Sequence, residues 1–368
     1  MTPNKIAIFA SFSGQGGVEG MLLNLADGLT ALGCQVDLIL AKGKSPHLER
    51  LPTSVNLIDL GRAHTFSCIP SLVHYLKKSH PIALLAAKDR ANQTAILARS
   101  IAHVSTRIVV RMGTTISAAI KGKGIITRLA WHIPIRLLYP MADSIVTVSK
   151  GVAEDMAGIT GISVDKMEVI PNPVITHNMI RMSGEHVSHP WFQEHEFPVI
   201  IGVGRLTRQK DFPILIRAFA EVNKVLSSRL VILGDGKDRA SLLSLADNLG
   251  ISENIYMPGF VTNPYAYMSK ADLFVLSSAW EGSPNVLTEA LALGTPVVST
   301  DCPSGPREIL AGGKYGGLAP VGDVASLSKA MLRILKNPPD KELLIGAVSE
   351  YKVEASAARY LKILTKRS

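Results

Sequence analysis

Trp280-Glu-Gly-Ser-Pro-Asn-Val-Leu-Thr-Glu-Ala-Leu-Ala-Leu-Gly-Thr-Pro-Val-Val298 holds a loop, a helix, a stop and a strand in one short stretch. Ser283 is of the type that caps helices, and Pro284 suits the first helical position, where a missing N–H costs nothing. The spacing predicts a helix from there to Leu293, stopped at Gly294, and a strand over Pro296–Ser299. Apart from Thr288 and Glu289, the helix after Asn285 is apolar on every side, which predicts that it is buried. A buried helix leading straight into an apolar strand is half of a βαβ unit.

The same rhythm extends in both directions. Upstream, Val199–Val203 and Arg229–Leu233 read as strands, with helices over Pro213–Leu226 and Arg239–Leu249. Nearer the start, Ile6–Phe12 is an unbroken apolar run suited to a parallel strand covered on both faces, and Gly20–Leu32 follows with helical spacing. Gln35–Ala41, Val55–Leu60, Ile82–Ala86, Arg107–Val110 and Ser144–Val148 are further strands. Two prolines in Val169-Ile-Pro-Asn-Pro-Val174 interrupt the series and predict a junction between two Rossmann-like α/β domains, 1–174 and 175–352. A helix over about Val353 to Leu364 follows, and its sequence leaves open whether it packs back on the first domain.

Composition narrows the classes. A chain of 368 residues exceeds what one core usually organises, and 47% hydrophobic content excludes disorder. The opening Met-Thr-Pro-Asn-Lys runs into a strand without a signal-peptide pattern, and no apolar stretch reaches the ~20 residues of a membrane span. The expected location is therefore the cytoplasm. Cys34, Cys68 and Cys302 form no metal-binding spacing, and their odd number suits a reducing compartment.

A net charge of +9 calls for an anionic partner. Between Arg107 and Arg136, basic residues alternate with Ile, Leu and Trp131, which is the composition of an interfacial amphipathic segment. With only 5% aromatics there is little to stack on bases, so an anionic membrane surface is expected rather than nucleic acid. Ordinary solvated helix faces are the alternative.

Two segments carry candidate chemistry. The amides around Asn285, Val286 and Leu287, with Ser283 before them, form a helix N-terminus able to receive a phosphate. Glu289, on that buried helix, needs hydrogen-bond donors such as the two hydroxyls of a ribose, and Glu281 lies just outside the same N-terminus. The second segment, Gly202-Val-Gly-Arg-Leu-Thr-Arg-Gln-Lys-Asp211, leaves a strand and enters a helix that Asp211 is expected to cap. It places Arg205 and Lys210 at the carboxyl edge of the sheet, where ligands of open α/β folds bind. Arg205 offers a fork matching a diphosphate and Lys210 a point charge.

Over nearly its whole length the chain resembles the retaining glycosyltransferases of family 4, which have the two-domain GT-B fold. Glu281 and Glu289 are similar to that family's paired glutamates, and Gly204-Arg-Leu with Gln209-Lys210 is similar to its diphosphate loop. Gly234-Asp-Gly236, Gly259-Phe-Val261, Val148-Ser-Lys150, Ile170-Pro-Asn-Pro173 and Ser304-Gly-Pro-Arg-Glu308 match in order and spacing. The resemblance implies a sugar-nucleotide donor, a saccharide or lipid-linked acceptor and no metal or other cofactor. It implies that Arg205 and Lys210 bind the diphosphate, Glu289 the ribose, Glu281 the transferred sugar, and the main chain near Phe260 and Val261 the base. Gly16 and Gly17 would let the first domain's backbone approach a phosphate or the acceptor. One departure concerns the loop after Arg107–Val110, where many relatives carry a histidine and this chain reads Arg111-Met-Gly-Thr-Thr115. Arg111 or Thr114, or else His64, His74 or His103, would have to serve that contact.

Three rival readings are separable. A dinucleotide dehydrogenase is suggested by Gly14-Gln-Gly-Gly-Val-Glu-Gly20 and Asp37, but Glu19 stands where that fingerprint needs Gly or Ala. A GT-B epimerase would consume no acceptor. A non-catalytic membrane-associated scaffold would bind the donor without turnover.

Overall fold

In the computed structural model, residues 4–12, 17–194 and 196–366 are described. Gly16 lies outside them; Gly17 opens the helix Gly17–Ala31, which begins three residues earlier than periodicity suggests. The first strand shows how the cores arise. Ile6 to Ala10 are all fully buried, and alternate residues go to opposite faces. Ile6, Ile8 and Ala10 join one hydrophobic cluster, and Ala7 and Phe9 join another.

Residues up to Val174, together with those from Glu350 on, form one unit; Ile175–Ser349 form the other. The first unit holds β1 (Lys5–Phe12), β2 (Gln35–Gly43), β3 (Val55–Asp59), β4 (Ala83–Ala87), β5 (Arg107–Met112), β6 (Ser144–Thr147) and β7 (Met167–Val169). Their order is β3-β2-β1-β4-β5-β6-β7, with every pairing parallel. The three-residue β7 is too short to leave a signal in the sequence. The second unit holds β8 (Val199–Val203), β9 (Arg229–Leu233), β10 (Ile255–Gly259), β11 (Leu273–Leu276), β12 (Val297–Thr300) and β13 (Gly317–Ala319), in the order β10-β9-β8-β11-β12-β13, again all parallel. Each unit is thus a doubly wound Rossmann-like sheet with one point where strand order reverses.

The helix Val353–Leu364 returns to the first unit and packs on the helix Gly17–Ala31. The contact is close because Gly28 has no side chain. A Cβ there would stand 2.7 Å from Val353 Cγ1 and 2.8 Å from Ala357 Cβ. Gly28→Val is therefore expected to destabilise the protein by about 2 kcal/mol through overpacking. The urea midpoint checks this, and an unchanged midpoint refutes it.

Among the described residues, no helix is long and apolar enough to cross a membrane.

Candidate active site

In the second sheet the order reverses between β8 and β11, so the loops leaving these two strands diverge to opposite faces and open a crevice. Those loops are 204–211 and 277–284, and they are stitched together. Ala279 N donates to Gln209 O at 2.8 Å, Ser277 Oγ to Lys210 O at 2.7 Å, and Gln209 Nε2 to Trp280 O at 3.1 Å. Lys210 Nζ lies 2.6 Å from Glu281 Oε1, which also accepts from Ser278 Oγ at 2.7 Å. Only 16% of the lysine side chain and 9% of the glutamate side chain are exposed, so solvent screens the pair weakly. A third loop fixes Glu281 through its backbone: Glu281 N donates to Pro303 O at 2.7 Å and Ser304 N to Glu281 O at 3.2 Å. Gly305 makes this approach possible. At φ +100° a side chain is strained, and its Cβ would stand 2.7 Å from Gly282 O.

Arg205 occupies the same loop as Lys210. Leu206 beside it is fully buried and anchored by Leu206 N→Asp235 O at 2.9 Å. Arg205 is exposed, and among the described residues its guanidinium makes no ion pair. The loop rests on the turn after β9, where a Cβ on Gly234 would come within 2.0 Å of Gly204 O. That turn is joined to the next by Gly234 N→Gly259 O at 2.8 Å, which brings exposed Phe260 and half-buried Val261 to the same carboxyl edge. They stand two strands from β8, about 10 Å at ordinary strand spacing.

The helix expected from Pro284 to Leu293 runs from Asn285 to Ala292. Pro284, rather than Ser283, takes the cap position, and no side chain caps the helix. Leu287 and Thr288 donate to Pro284 O at 3.1 and 3.3 Å, so Leu287 offers no amide to a ligand. Val286 is half-buried at this end. Asp211 likewise stands at a cap position without capping, its backbone left-handed at φ +46°. Glu289 is half-buried rather than buried, and among the described residues its carboxylate makes no hydrogen bond. Surrounding protein nevertheless desolvates it, pushing its carboxyl up to about 7 while the charge of Lys210 pulls the other way. Burial, and then the charge of Glu281, push the Cys302 thiol up to about 12.

In the first sheet the reversal falls between β1 and β4. There Lys88 Nζ donates to Ser11 O at 2.6 Å and to Glu19 Oε1 at 3.1 Å. Sequence reasoning missed this pair, and the one available signal was an acid two residues past Gly17. Arg111 does not face solvent as expected. It is 1% exposed, donates to Asn172 Oδ1 at 2.6 Å and lies against Tyr360 of the returning helix. It therefore ties β5 to the interdomain segment and to the chain's return, and it is withdrawn as an acceptor contact. Half-buried Thr114 is left in that loop. His74 lies midway along the helix Ile69–Ser79 and lines a groove that also holds Lys5, and His103 caps the C-terminus of the helix Asp89–Ala102, at the sheet edge where β5 begins. Exposed His64 follows the edge strand β3.

Two family models match the chain, "Glycosyltransferase Family 4" over residues 15–178 and "Glycosyl transferases group 1" over 187–348. A Campylobacter jejuni relative is 31% identical across 98% of this chain and 97% of its own. The chain is a group 1, family 4 glycosyltransferase. That relative is named N-acetylgalactosamine-N,N'-diacetylbacillosaminyl-diphospho-undecaprenol 4-alpha-N-acetylgalactosaminyltransferase. The lipopolysaccharide core biosynthesis glycosyltransferase LpsE of Rhizobium meliloti is 30% identical over 67% of this chain and 71% of its own. Among solved structures, Anabaena HepE in complex with UDP shares the GT-B fold, with a TM-score of 0.79 at 17% identity over 98% of this chain and 99% of that one. The dehydrogenase reading fails for this glycosyltransferase on structural grounds too. Asp37 is the third residue of β2, far from the carboxyl edge, and it is held by Lys5 (3.2 Å), Asn56 (3.0 Å) and Tyr75 (2.5 Å).

Proposed function

We propose that this glycosyltransferase moves a hexose or N-acetylhexosamine, with retention, from a UDP-sugar to a saccharide or lipid-linked saccharide in cell-envelope polysaccharide or lipopolysaccharide synthesis. The observation that carries the donor reading is the carboxyl edge of the second sheet. A buried Lys210–Glu281 pair converges there on the strand-order reversal with Arg205, which makes no ion pair among the described residues, and a desolvated Glu289, which makes no hydrogen bond among them. Arg205 and Lys210 neutralise the diphosphate as it leaves, since fixed charges in a poorly solvated site act most strongly where charge develops. Glu289 accepts from the ribose hydroxyls, Glu281 from the transferred sugar, and the main chain at Phe260 and Val261 holds the base. Ser283, Asn285 and Val286 flank the phosphate. Gly17 and Thr114 serve the first unit's ligand. Charge neutralisation by side chains leaves no metal or other cofactor necessary. The Campylobacter relative's diphospho-undecaprenol acceptor, the Rhizobium relative's lipopolysaccharide role and the UDP of HepE support this choice of substrates. The exposed cations and apolar side chains within 107–136 support peripheral attachment to the anionic inner face of the plasma membrane.

Thermal unfolding with a panel of UDP-, GDP- and ADP-sugars tests the donor. A true donor at about 100 times its Kd stabilises by roughly 2.7 kcal/mol, a rise of several degrees in midpoint. No rise with any UDP-sugar refutes the assignment.

A further inference from the structure

Beside the edge strand β3, the first unit carries a groove of about 640 Å³, within the roughly 300–1,000 Å³ of small-ligand sites. Lys5 opens β1, Asp37 is the third residue of β2 and Asn56 the second of β3. Parallel strands start at one edge, so these residues stand near the amino edge of the sheet, roughly 20 Å along β1 from its carboxyl end. Ile58 and Leu60 form one wall. The other is the helix Ile69–Ser79, which sends Leu72 and Leu76 into a hydrophobic cluster and leaves Ser71, Tyr75 and Lys78 along the groove. The floor is polar and fixed, since Asp37, 1% exposed, accepts from Lys5, Asn56 and Tyr75.

Stability does not account for that floor, because a buried charged cluster is seldom worth more than apolar side chains of the same volume. Its effect is to fix donors. An ammonium and a primary amide each carry more N–H groups than Asp37 takes from them, so Lys5 and Asn56 keep donors at the floor. Among the described lining residues Asp37 is the only acid, and Lys5 neutralises it, so exposed Lys78 leaves the groove net positive. We propose that the groove binds an acidic saccharide, one or two rings bearing a carboxylate or a phosphate. The oxyanion lies between Lys5 and Lys78, hydroxyls meet Asn56 and Ser71, and the C–H face of a ring rests on Ile58 and Leu60. A nucleotide is a poorer fit, because the lining includes no Phe or Trp for a base to stack on and Tyr75 is tied by its hydroxyl to Asp37. The glycosyltransferase thus carries a second saccharide site, remote from the carboxyl edge that holds the donor in the proposed function.

The test is calorimetric titration of the full chain, with UDP in excess to occupy the donor crevice, using glucuronate, glucose 1-phosphate, glucose and inorganic phosphate as probes. At least one of the two acidic sugars is expected to bind. Preference for glucuronate points to a uronic acid of a glycan as the natural source, and preference for glucose 1-phosphate to a free sugar phosphate; either upholds the site. Lys78→Glu should weaken that binding at least about tenfold, the loss of one charge-assisted contact. Lys121→Glu, the same charge reversal on an exposed lysine outside the groove, should bind as wild type does. Because both side chains are exposed, both variants should keep the wild-type unfolding midpoint and its rise with UDP, which separates failure of this site from failure of the donor reading. Glucose binding as tightly as the acidic sugars overturns the proposal, and inorganic phosphate doing so would mean an adventitious ion only. Binding of neither acidic sugar, binding undiminished by Lys78→Glu, or binding weakened equally by Lys121→Glu overturns it as well.

Discussion

Lys210→Ala is expected to lower kcat/KM for transfer at least about 100-fold, or ~3 kcal/mol of transition-state stabilisation. The lysine serves two ends. In the proposed role it supplies positive charge where the diphosphate departs, and in the fold it neutralises Glu281, which is held nine-tenths buried by Ser278 and by the backbone of residues 303 and 304. Removing the cation leaves that carboxylate without its partner in a poorly solvated site, so the second unit should also lose about 2–3 kcal/mol of stability. The two effects come apart in a cycle of Lys210→Met, Glu281→Gln and their combination. The double variant should regain most of the stability lost by Lys210→Met while remaining inactive. A double variant as unstable as the single one would show that the unpaired charge is not what destabilises it.

The second large effect concerns Glu289, and its sign differs between stability and binding. With the folded-state carboxyl at about 7 and the usual value near 4.5, the folded protein holds the extra proton between those pH values. Stability from this group is therefore lost as pH rises from about 4.5 to 7, and the penalty is constant above that. Glu289→Gln removes the penalty, so the ligand-free variant should be more stable than wild type at pH 8 and equal to it near pH 4. Donor binding should go the other way. In the proposed role the ribose hydroxyls donate to the ionised carboxylate, so wild-type affinity for UDP should weaken as pH falls below 7, and Glu289→Gln should lose at least about tenfold at pH 8. Calorimetric titration across pH with both proteins decides the matter. A flat wild-type profile, or a glutamine variant less stable at pH 8, contradicts the role.

The βα alternation was legible because a strand covered on both faces must be apolar throughout, as Ile6 to Ala10 are, and because Gly and Pro punctuate its ends. The paired segments around Lys210 and Glu281 were legible because each sits where a strand meets a helix in sequence. What escaped depended on contacts that spacing cannot encode. Ser283 has the chemistry of a cap, yet the turn delivers Pro284 to that position. Arg111 carries a charge that normally marks a surface, and nothing local announces that Asn172 and Tyr360 will enclose it. Lys88 and Glu19 meet across 69 positions, so neither is remarkable until the reversal between β1 and β4 brings them together. Glu289 was placed on the correct helix but read as fully buried, because helical periodicity reports which face a residue shares and not how deep that face lies.

The helix Val353–Leu364 has a consequence for how the protein is made. It covers Gly28 and its neighbours in the first unit, yet it is translated after the whole of Ile175–Ser349. On the ribosome, the second unit can complete its own core while the first still lacks one of its walls. The apolar side chains that will meet Tyr360 and Ile363 stay uncovered until those residues emerge. The first unit, though translated before the second, is thus sealed only once Val353–Leu364 has emerged, and a premature stop before Val353 would expose a surface of the first unit rather than merely shorten the second.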